Sequence, residues 1–303
     1  MSWAASTLSC RSCTCSSPSE QVDSAVEPVL PGVESHRRSS SGLAWVVEMI
    51  RVTLAGVTGW VGMPLARAID EAADLKLVAA VARRASGDRL GDITISGSID
   101  EALATPSDVL VDYTSAASVK LNVLSAISAG RHVVIGSSGL TQDDLQEIDT
   151  AAKSAVVGVV AVGNFAIAAA LLQRFAAEAA KYLPSWEIID IAHDAKIDAP
   201  SGMARELAWR LSEVRSPHVE VGAENTVGQA EARGAEVNAS RIHSLRLPGY
   251  TIGLEVRFGQ EDERLTLQYD GVTGARPYIG GTLLAIRRVR DFIGLVRGLD
   301  RIL

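Results

Sequence analysis

Ile50-Arg51-Val52-Thr53-Leu54-Ala55-Gly56-Val57-Thr58-Gly59-Trp60-Val61-Gly62 is a short apolar run that passes into a turn with a glycine at every third position. A helical pattern of apolar residues follows through Ile69. Strand, glycine turn and helix in that order give G-x-x-G-x-x-G at Gly56, Gly59 and Gly62, a variant of the dinucleotide fingerprint. Glycines there let the chain reverse tightly and let its backbone approach a pyrophosphate at the helix N-terminus. An ordinary strand-to-helix turn can also carry glycines, so the chain beyond Ile69 has to decide. Strand-like runs at 75–81, 109–114, 132–136 and 156–162 alternate with helical patterns, which predicts a parallel sheet.

The end of the second strand selects the nucleotide. A carboxylate there holds a free ribose 2′-hydroxyl, whereas an arginine accepts a 2′-phosphate. Residues 75–81 run into Ala82-Arg83-Arg84, with no carboxylate in place. Guanidinium groups fork onto phosphate oxygens, so Arg83 and Arg84 predict NADPH, with NADH as the alternative if the pair is merely solvated.

A second informative stretch runs Asp190-Ile191-Ala192-His193-Asp194-Ala195-Lys196-Ile197-Asp198-Ala199-Pro200-Ser201-Gly202-Met203. The residues before it alternate as a strand and 204–211 have helical spacing, so it bridges a strand end and a helix start. The N–H groups and dipole of that helix start attract anions. His193 and Lys196 beside it suit a site that grips an acidic small molecule and moves a proton. On residue types alone, a solvated surface loop explains them equally well.

At 303 residues, 47% of them apolar, the chain is long enough for two domains. A net charge of −7 argues against nucleic acid or an anionic membrane as partner. The most apolar helix candidate, 165–183, is interrupted by Gln173, Arg174, Glu178 and Lys181 and is no membrane span. Residues 1–48 are Ser-rich, contain Pro18, Pro28 and Pro31, and are expected to be a disordered extension, with Met49 as the native start. Cys10, Cys13 and Cys15 all lie there without a second ligand pair, so no metal site is expected. A polar stretch at 216–240 reads as a loop. Strands at 242–247, 251–258 and 264–269 then follow without helices, which implies an antiparallel or mixed sheet, and a last helix is expected over 281–297.

His193-x-x-Lys196-x-Asp198-Ala199-Pro200-Ser201-Gly202 resembles the signature of the 4-hydroxy-tetrahydrodipicolinate reductase (dihydrodipicolinate reductase) family. Asp112-Tyr113-Thr114 and Gly136-Ser137-Ser138-Gly139 are similar to the strand ends that line the nicotinamide side of the family's cleft, and Asn164-Phe165 to its crossing between domains. The resemblance covers residue 50 onward. It implies an α/β fold: a Rossmann-type parallel-sheet nucleotide-binding domain at 49–164, to which 276–303 return, plus an α+β substrate-binding and oligomerisation domain with a mixed sheet at 165–275. The implied activity is NAD(P)H-dependent reduction of 4-hydroxy-tetrahydrodipicolinate in lysine (diaminopimelate) biosynthesis, by a cytoplasmic homotetramer. Gly56, Gly59, Trp60, Val61, Gly62, Arg83, Arg84, Tyr113, Thr114, Gly136, Ser137, Ser138, Asn164 and Phe165 would bind the cofactor. His193, Ser201, Gly202 and Met203 would hold a small dicarboxylate, with Lys196 and His193 catalytic. Tyr278 aligns with an aromatic position near the cofactor, Arg276 lies close to but not on a family arginine, and His132, His218 and His243 are expected to be structural or solvated.

The chain departs from the pattern at Ala192, where the family has the first of two histidines, and at Met203, where it has threonine. Trp60 and Met63 replace arginines of the glycine turn. The first change removes an imidazole credited with assisting protonation, and the second a hydroxyl donor. Three readings stay open: the pathway reductase, a paralogue that reduces a related cyclic imine dicarboxylate, and a catalytically silent NADPH-binding module. Retention of Lys196 beside an anion pocket argues against the last.

Overall fold

The computed structural model describes residues 48–272 and 274–303, so the extension expected at 1–48 lies outside the described residues except for Glu48. The first half runs β1 (Ile50–Ala55), α1 (Gly62–Glu71), β2 (Leu75–Val81), a minimal hairpin of β3 (Arg89–Leu90) and β4 (Ile93–Thr94), α2 (Ile99–Leu103), β5 (Val109–Asp112), α3 (Val119–Ser128), β6 (His132–Ile135), α4 (Gln142–Ala155) and β7 (Gly158–Ala161). The second half runs α5 (Ile167–Ala179), β8 (Ser185–Ala192), α6 (Gly202–Ser212), β9 (Ala235–Val237), β10 (Ser240–Arg246), β11 (Ile252–Gln260), β12 (Glu263–Gly271), α7 (Arg276–Arg288) and β13 (Gly294–Arg297).

Six parallel strands lie side by side in the order β13-β7-β6-β5-β1-β2. They are apolar on both faces because helices cover both. Leu65 and Ile69 of α1 and Ala285 and Ile286 of α7 pack with Val52, Leu54 and Val111 on one side. Ile99, Val119, Val123, Ile148 and Ala152, from α2 to α4, pack with Leu110, Val133 and Ile135 on the other. From β1 the chain goes first to β2 on one side and later to β5 on the other. The turns after β1 and β5 therefore flank the crevice where open sheets of this kind bind ligands.

The second sheet has the order β12-β11-β8-β10-β9 and is mixed, with β8 parallel to β10 and antiparallel to β11. Leu172 of α5 and Leu207 and Leu211 of α6 cover the face that carries Trp186, Ile188, Ile242, Leu254, Val256 and Phe258. Trp186 and Phe258 are register partners with ring centroids 5.8 Å apart. The polar stretch before this sheet contains two short 3-10 turns and the edge strand β9.

The C-terminus differs from expectation. The last helix is α7, which starts earlier, with a proline in its first turn, and ends at Arg288. Residues expected to continue it form β13, parallel to β7 at the sheet edge. Gly294 and Gly298, both with φ near +90°, bracket that strand and break helical continuity. No helix among the described residues is long and apolar enough to cross a membrane.

The glycine turn is set by backbone proximity. Gly56 has φ +86°, and a Cβ on it would stand 2.2 Å from the Tyr113 carbonyl oxygen; a Cβ on Gly62 would stand 2.1 Å from the Gly56 carbonyl oxygen. Gly62→Ala should therefore destabilise the fold by about 1–3 kcal/mol in urea unfolding, as overpacking does. Gly259→Ala, a strand glycine with open space around it, should stay within about 0.5 kcal/mol. Equal behaviour of the two would contradict the close approach.

Candidate active site

The amides of Gly56 and Val57 donate to the Val81 carbonyl at 2.9 and 3.3 Å, which fastens the glycine turn to the end of β2. The N–H groups of Trp60, Val61 and Gly62 have no partner among the described residues. No side chain caps α1 and no acidic residue lies in its first turn. Its positive end is thus open, which suits a phosphate. Arg83 and Arg84 stand exposed in the turn directly after β2, and neither is paired with a carboxylate among the described residues. Open helix N–H donors, close-approach glycines and free guanidiniums fit a phosphate-bearing dinucleotide.

Across the crevice, the Tyr113 hydroxyl bonds to Thr282 Oγ1 at 2.7 Å, and Thr282 donates onward to the Tyr278 carbonyl. Burial pushes the Tyr113 phenol above its ordinary range, so it stays protonated. A Cβ on Gly136 would meet the Tyr113 ring at 2.3 Å, so this glycine makes room for the ring. Tyr113 lies 5.9 Å from Phe165, and the half-exposed Trp60 meets Tyr278 edge-on at 5.6 Å. The Asp112 carboxylate, fully buried at the end of β5, accepts from the Thr114 amide (3.0 Å) and hydroxyl (2.8 Å), Ser137 Oγ (2.6 Å) and Asn122 Nδ2 (2.8 Å). Thr114, Ser137 and neighbouring Ser138 are thereby gathered at the strand ends.

The loop after β8 is held by a second buried carboxylate. Asp190 Oδ2 accepts from the Ser201 amide at 2.8 Å, Ser244 Oγ at 3.0 Å and Arg246 at 2.7 Å. The same arginine donates to the Asp198 carbonyl at 2.7 Å. Ser201 caps α6, its Oγ accepting from the Ala204 amide at 3.3 Å. The Ser201 N–H, expected to serve as an anion donor, is therefore engaged, while those of Gly202 and Met203 have no partner among the described residues. Lys196 Nζ pairs with Asp198 at 2.6 Å. Burial alone would raise the Asp198 carboxyl, and the Lys196 ammonium more than offsets it, leaving the group below the usual carboxylate range. His193 is exposed on the same loop.

Ala192 is fully buried, its carbonyl accepting from the Leu247 amide at 3.1 Å. Met203 turns into the core, and Asn164 Nδ2 donates to its sulfur at 3.2 Å, so the crossing at Asn164-Phe165 touches the first turn of α6. Among the described residues, the other three histidines are each near a partner. His132 Nδ1 accepts from the Gly158 amide, His243 pairs with Glu187 at 2.8 Å, and the exposed His218 stands 3.3 Å from Glu220.

Sequence reasoning passed over Asp190, Ser244 and Arg246 as site residues. A carboxylate inside Ile188-Ile189-Asp190-Ile191 was the available signal, because a charge in an apolar strand needs a partner. Arg246→Met should strand the Asp190 charge and destabilise the protein by about 3–5 kcal/mol in urea unfolding. A change under about 1 kcal/mol would contradict the pairing.

Residues 50–165 match the family model described as dihydrodipicolinate reductase, N-terminus, and residues 168–303 match the one described as dihydrodipicolinate reductase, C-terminus. The 4-hydroxy-tetrahydrodipicolinate reductase of Desulfitobacterium hafniense is 38% identical over 268 residues, covering 85% of this chain and 100% of the relative. That of Moorella thermoacetica is 37% identical over 271 residues, covering 85% and 99%. Among solved structures, the dipicolinate-bound dihydrodipicolinate reductase of Paenisporosarcina sp. TG-14 superposes with a TM-score of 0.73 at 30% identity, covering 84% of this chain and 100% of that one. With both halves matched in order and these relatives spanned almost end to end, the chain belongs to the dihydrodipicolinate reductase family.

Proposed function

We propose that this protein reduces 4-hydroxy-tetrahydrodipicolinate to tetrahydrodipicolinate with a reduced nicotinamide cofactor, in the diaminopimelate route to lysine. The observation that carries this reading is the Lys196 ammonium held on the loop that leads into α6, whose Gly202 and Met203 amides face no partner among the described residues. Gly202 and Met203 would take one substrate carboxylate through their N–H groups, helped by the Ser201 hydroxyl and the helix dipole. His193 would meet the other side of the ring. Once the 4-hydroxyl has left the ring as water, the bound cofactor would supply a hydride to the conjugated imine that remains, and the enamine carbon left behind needs a proton. Lys196, paired with Asp198, would relay that proton. Gly56, Gly59, Trp60, Val61 and Gly62 would seat the pyrophosphate. Tyr113, Thr114, Gly136, Ser137, Ser138, Asn164 and Phe165 would border the nicotinamide.

The 2′-phosphate would lie on Arg83 and Arg84, which makes NADPH the preferred cofactor. The division into a nucleotide domain at 49–164 with 276–303, and a substrate domain at 165–275, is supported by the two separate sheets. The mixed sheet carries α5 and α6 on one face, while its other face presents the half-exposed Ile189 and the exposed Leu245 and Arg257; this face would join subunits into a homotetramer. A paralogous substrate is the second reading, favoured by Ala192 and by the methionine at the position of a carboxylate-binding hydroxyl.

Lys196→Ala should slow turnover by roughly 10²–10⁴-fold, typical of a lost general acid, and leave cofactor affinity unchanged. Retention of near-full turnover would overturn the assignment. Arg83→Ala with Arg84→Ala should weaken NADPH by about 1–3 kcal/mol in fluorescence titration while leaving NADH nearly untouched. Equal losses for both cofactors would mean that these arginines do not read the phosphate.

A further inference from the structure

Glu206 lies four residues past Gly202, on the face of α6 that turns toward the domain crossing. Its Oε2 accepts from the Gly163 amide at 3.0 Å, immediately before Asn164-Phe165. The contact is close: a Cβ on Gly163 would stand 2.3 Å from Glu206 Oε2, so a side chain there would push the carboxylate away. On its other side Glu206 faces the C-terminal segment, where a Cβ on Gly298 would come within 3.4 Å of Oε1. Gly298 in turn donates to the Ala161 carbonyl at 3.0 Å. One carboxyl group carried by the anion-pocket helix is therefore bonded to the crossing that carries Phe165 and lies beside the segment that returns next to β7.

We propose that Glu206 is a positioning residue for the reduction: its hydrogen bond to Gly163 keeps the substrate-anion pocket of α6 in register with the crossing that borders the nicotinamide. Hydride transfer demands that donor and acceptor carbons be held to a fraction of an ångström, so a bond joining the two binding elements acts on turnover without touching either ligand. The charged groups that face Glu206 are Asp300 from the C-terminal turn and Arg297 from β13. Asp300 is itself paired with Arg210 of α6 at 3.0 Å, and Arg297 stacks on Trp209 at 4.2 Å. The crossing presents only its backbone N–H. Burial, with Asp300 adding to it, pushes the Glu206 carboxyl up to about 7 against the opposing pull of the Gly163 bond and Arg297. Ionisation near neutrality then places a negative charge one helical turn from the dicarboxylate pocket, where it repels the substrate.

The test is a pair of substitutions read in steady state, where it rests on the dicarboxylate reading, and by thermal unfolding, where it does not. Glu206→Ala removes the acceptor and should lower kcat at least about tenfold with an unchanged cofactor Kd. Glu206→Gln keeps an oxygen for the Gly163 amide and should restore most of that loss. Wild-type KM for the dicarboxylate should rise roughly three- to tenfold from about pH 6 to about pH 8, and the glutamine variant should remove that rise. Should Glu206→Ala fail to fold, Gly163→Ala displaces the carboxylate from the opposite side and should show the same loss of kcat. Unchanged kcat in the alanine variants, a glutamine variant as slow as Glu206→Ala, or a KM rise that persists in Glu206→Gln would each overturn the proposal. Thermal midpoints need no substrate. The raised carboxyl contributes fully below about 4.5 and loses that stability as pH climbs to about 7, so Glu206→Gln should unfold above wild type at about pH 8 and level with it at about pH 4. Coincident midpoints at both pH values would also overturn it. A wild type that leaves the dicarboxylate unreduced contradicts the functional reading instead, while the midpoints still decide on Glu206.

Discussion

A carboxylate removed from water must be compensated, and Asp190, fully buried toward the C-terminal end of the central strand of the mixed sheet, organises its surroundings on that account. Ser201, Ser244 and Arg246 supply its donors from three separate segments. Arg246 also reaches the Asp198 carbonyl, so the loop bearing Lys196 is tied at both ends, to the strand it leaves and to the helix it starts. Replacing any partner would leave charge uncompensated in a dry interior, where it costs far more than the same pair on a surface.

The nucleotide half uses the same device. Asp112 is the last residue of β5 and Asp190 lies two residues before the end of β8, and each collects hydroxyl and amide donors from neighbouring segments. Both carboxylates thus sit toward the C-terminal ends of their strands, next to the loops that carry the proposed ligand-binding residues. Each half thus fixes its own loops, and the contacts between the halves include Asn164 on Met203, Gly163 on Glu206, Arg210 on Asp300 and Arg297 on Trp209.

Local pattern was legible wherever it rests on neighbours in sequence. The glycine spacing at Gly56, Gly59 and Gly62, the alternating strands and helices of the parallel sheet, and the strand-loop-helix character of the stretch around Lys196 all follow from period and turn chemistry. Pairings across long separations were not legible. Asp190 meets Arg246 at a separation of 56 residues and Gly163 meets Glu206 at 43, and no local periodicity announces either. The C-terminal strand was hidden because the pattern from Gly281 to Arg297 can pass for one helix, whereas α7 stops at Arg288, Phe292 is extended and Gly294 has a positive φ. The engaged Ser201 amide was invisible for the same reason, since its partner sits on a preceding strand.

The most direct measurement is the rate at which the intact protein oxidises NADPH in the presence of freshly generated 4-hydroxy-tetrahydrodipicolinate, followed by nicotinamide absorbance. The geometry of the Lys196 loop and the α6 N-terminus calls for saturable turnover. Tight NADPH binding with no oxidation above the uncatalysed background would contradict a reductase site at this loop.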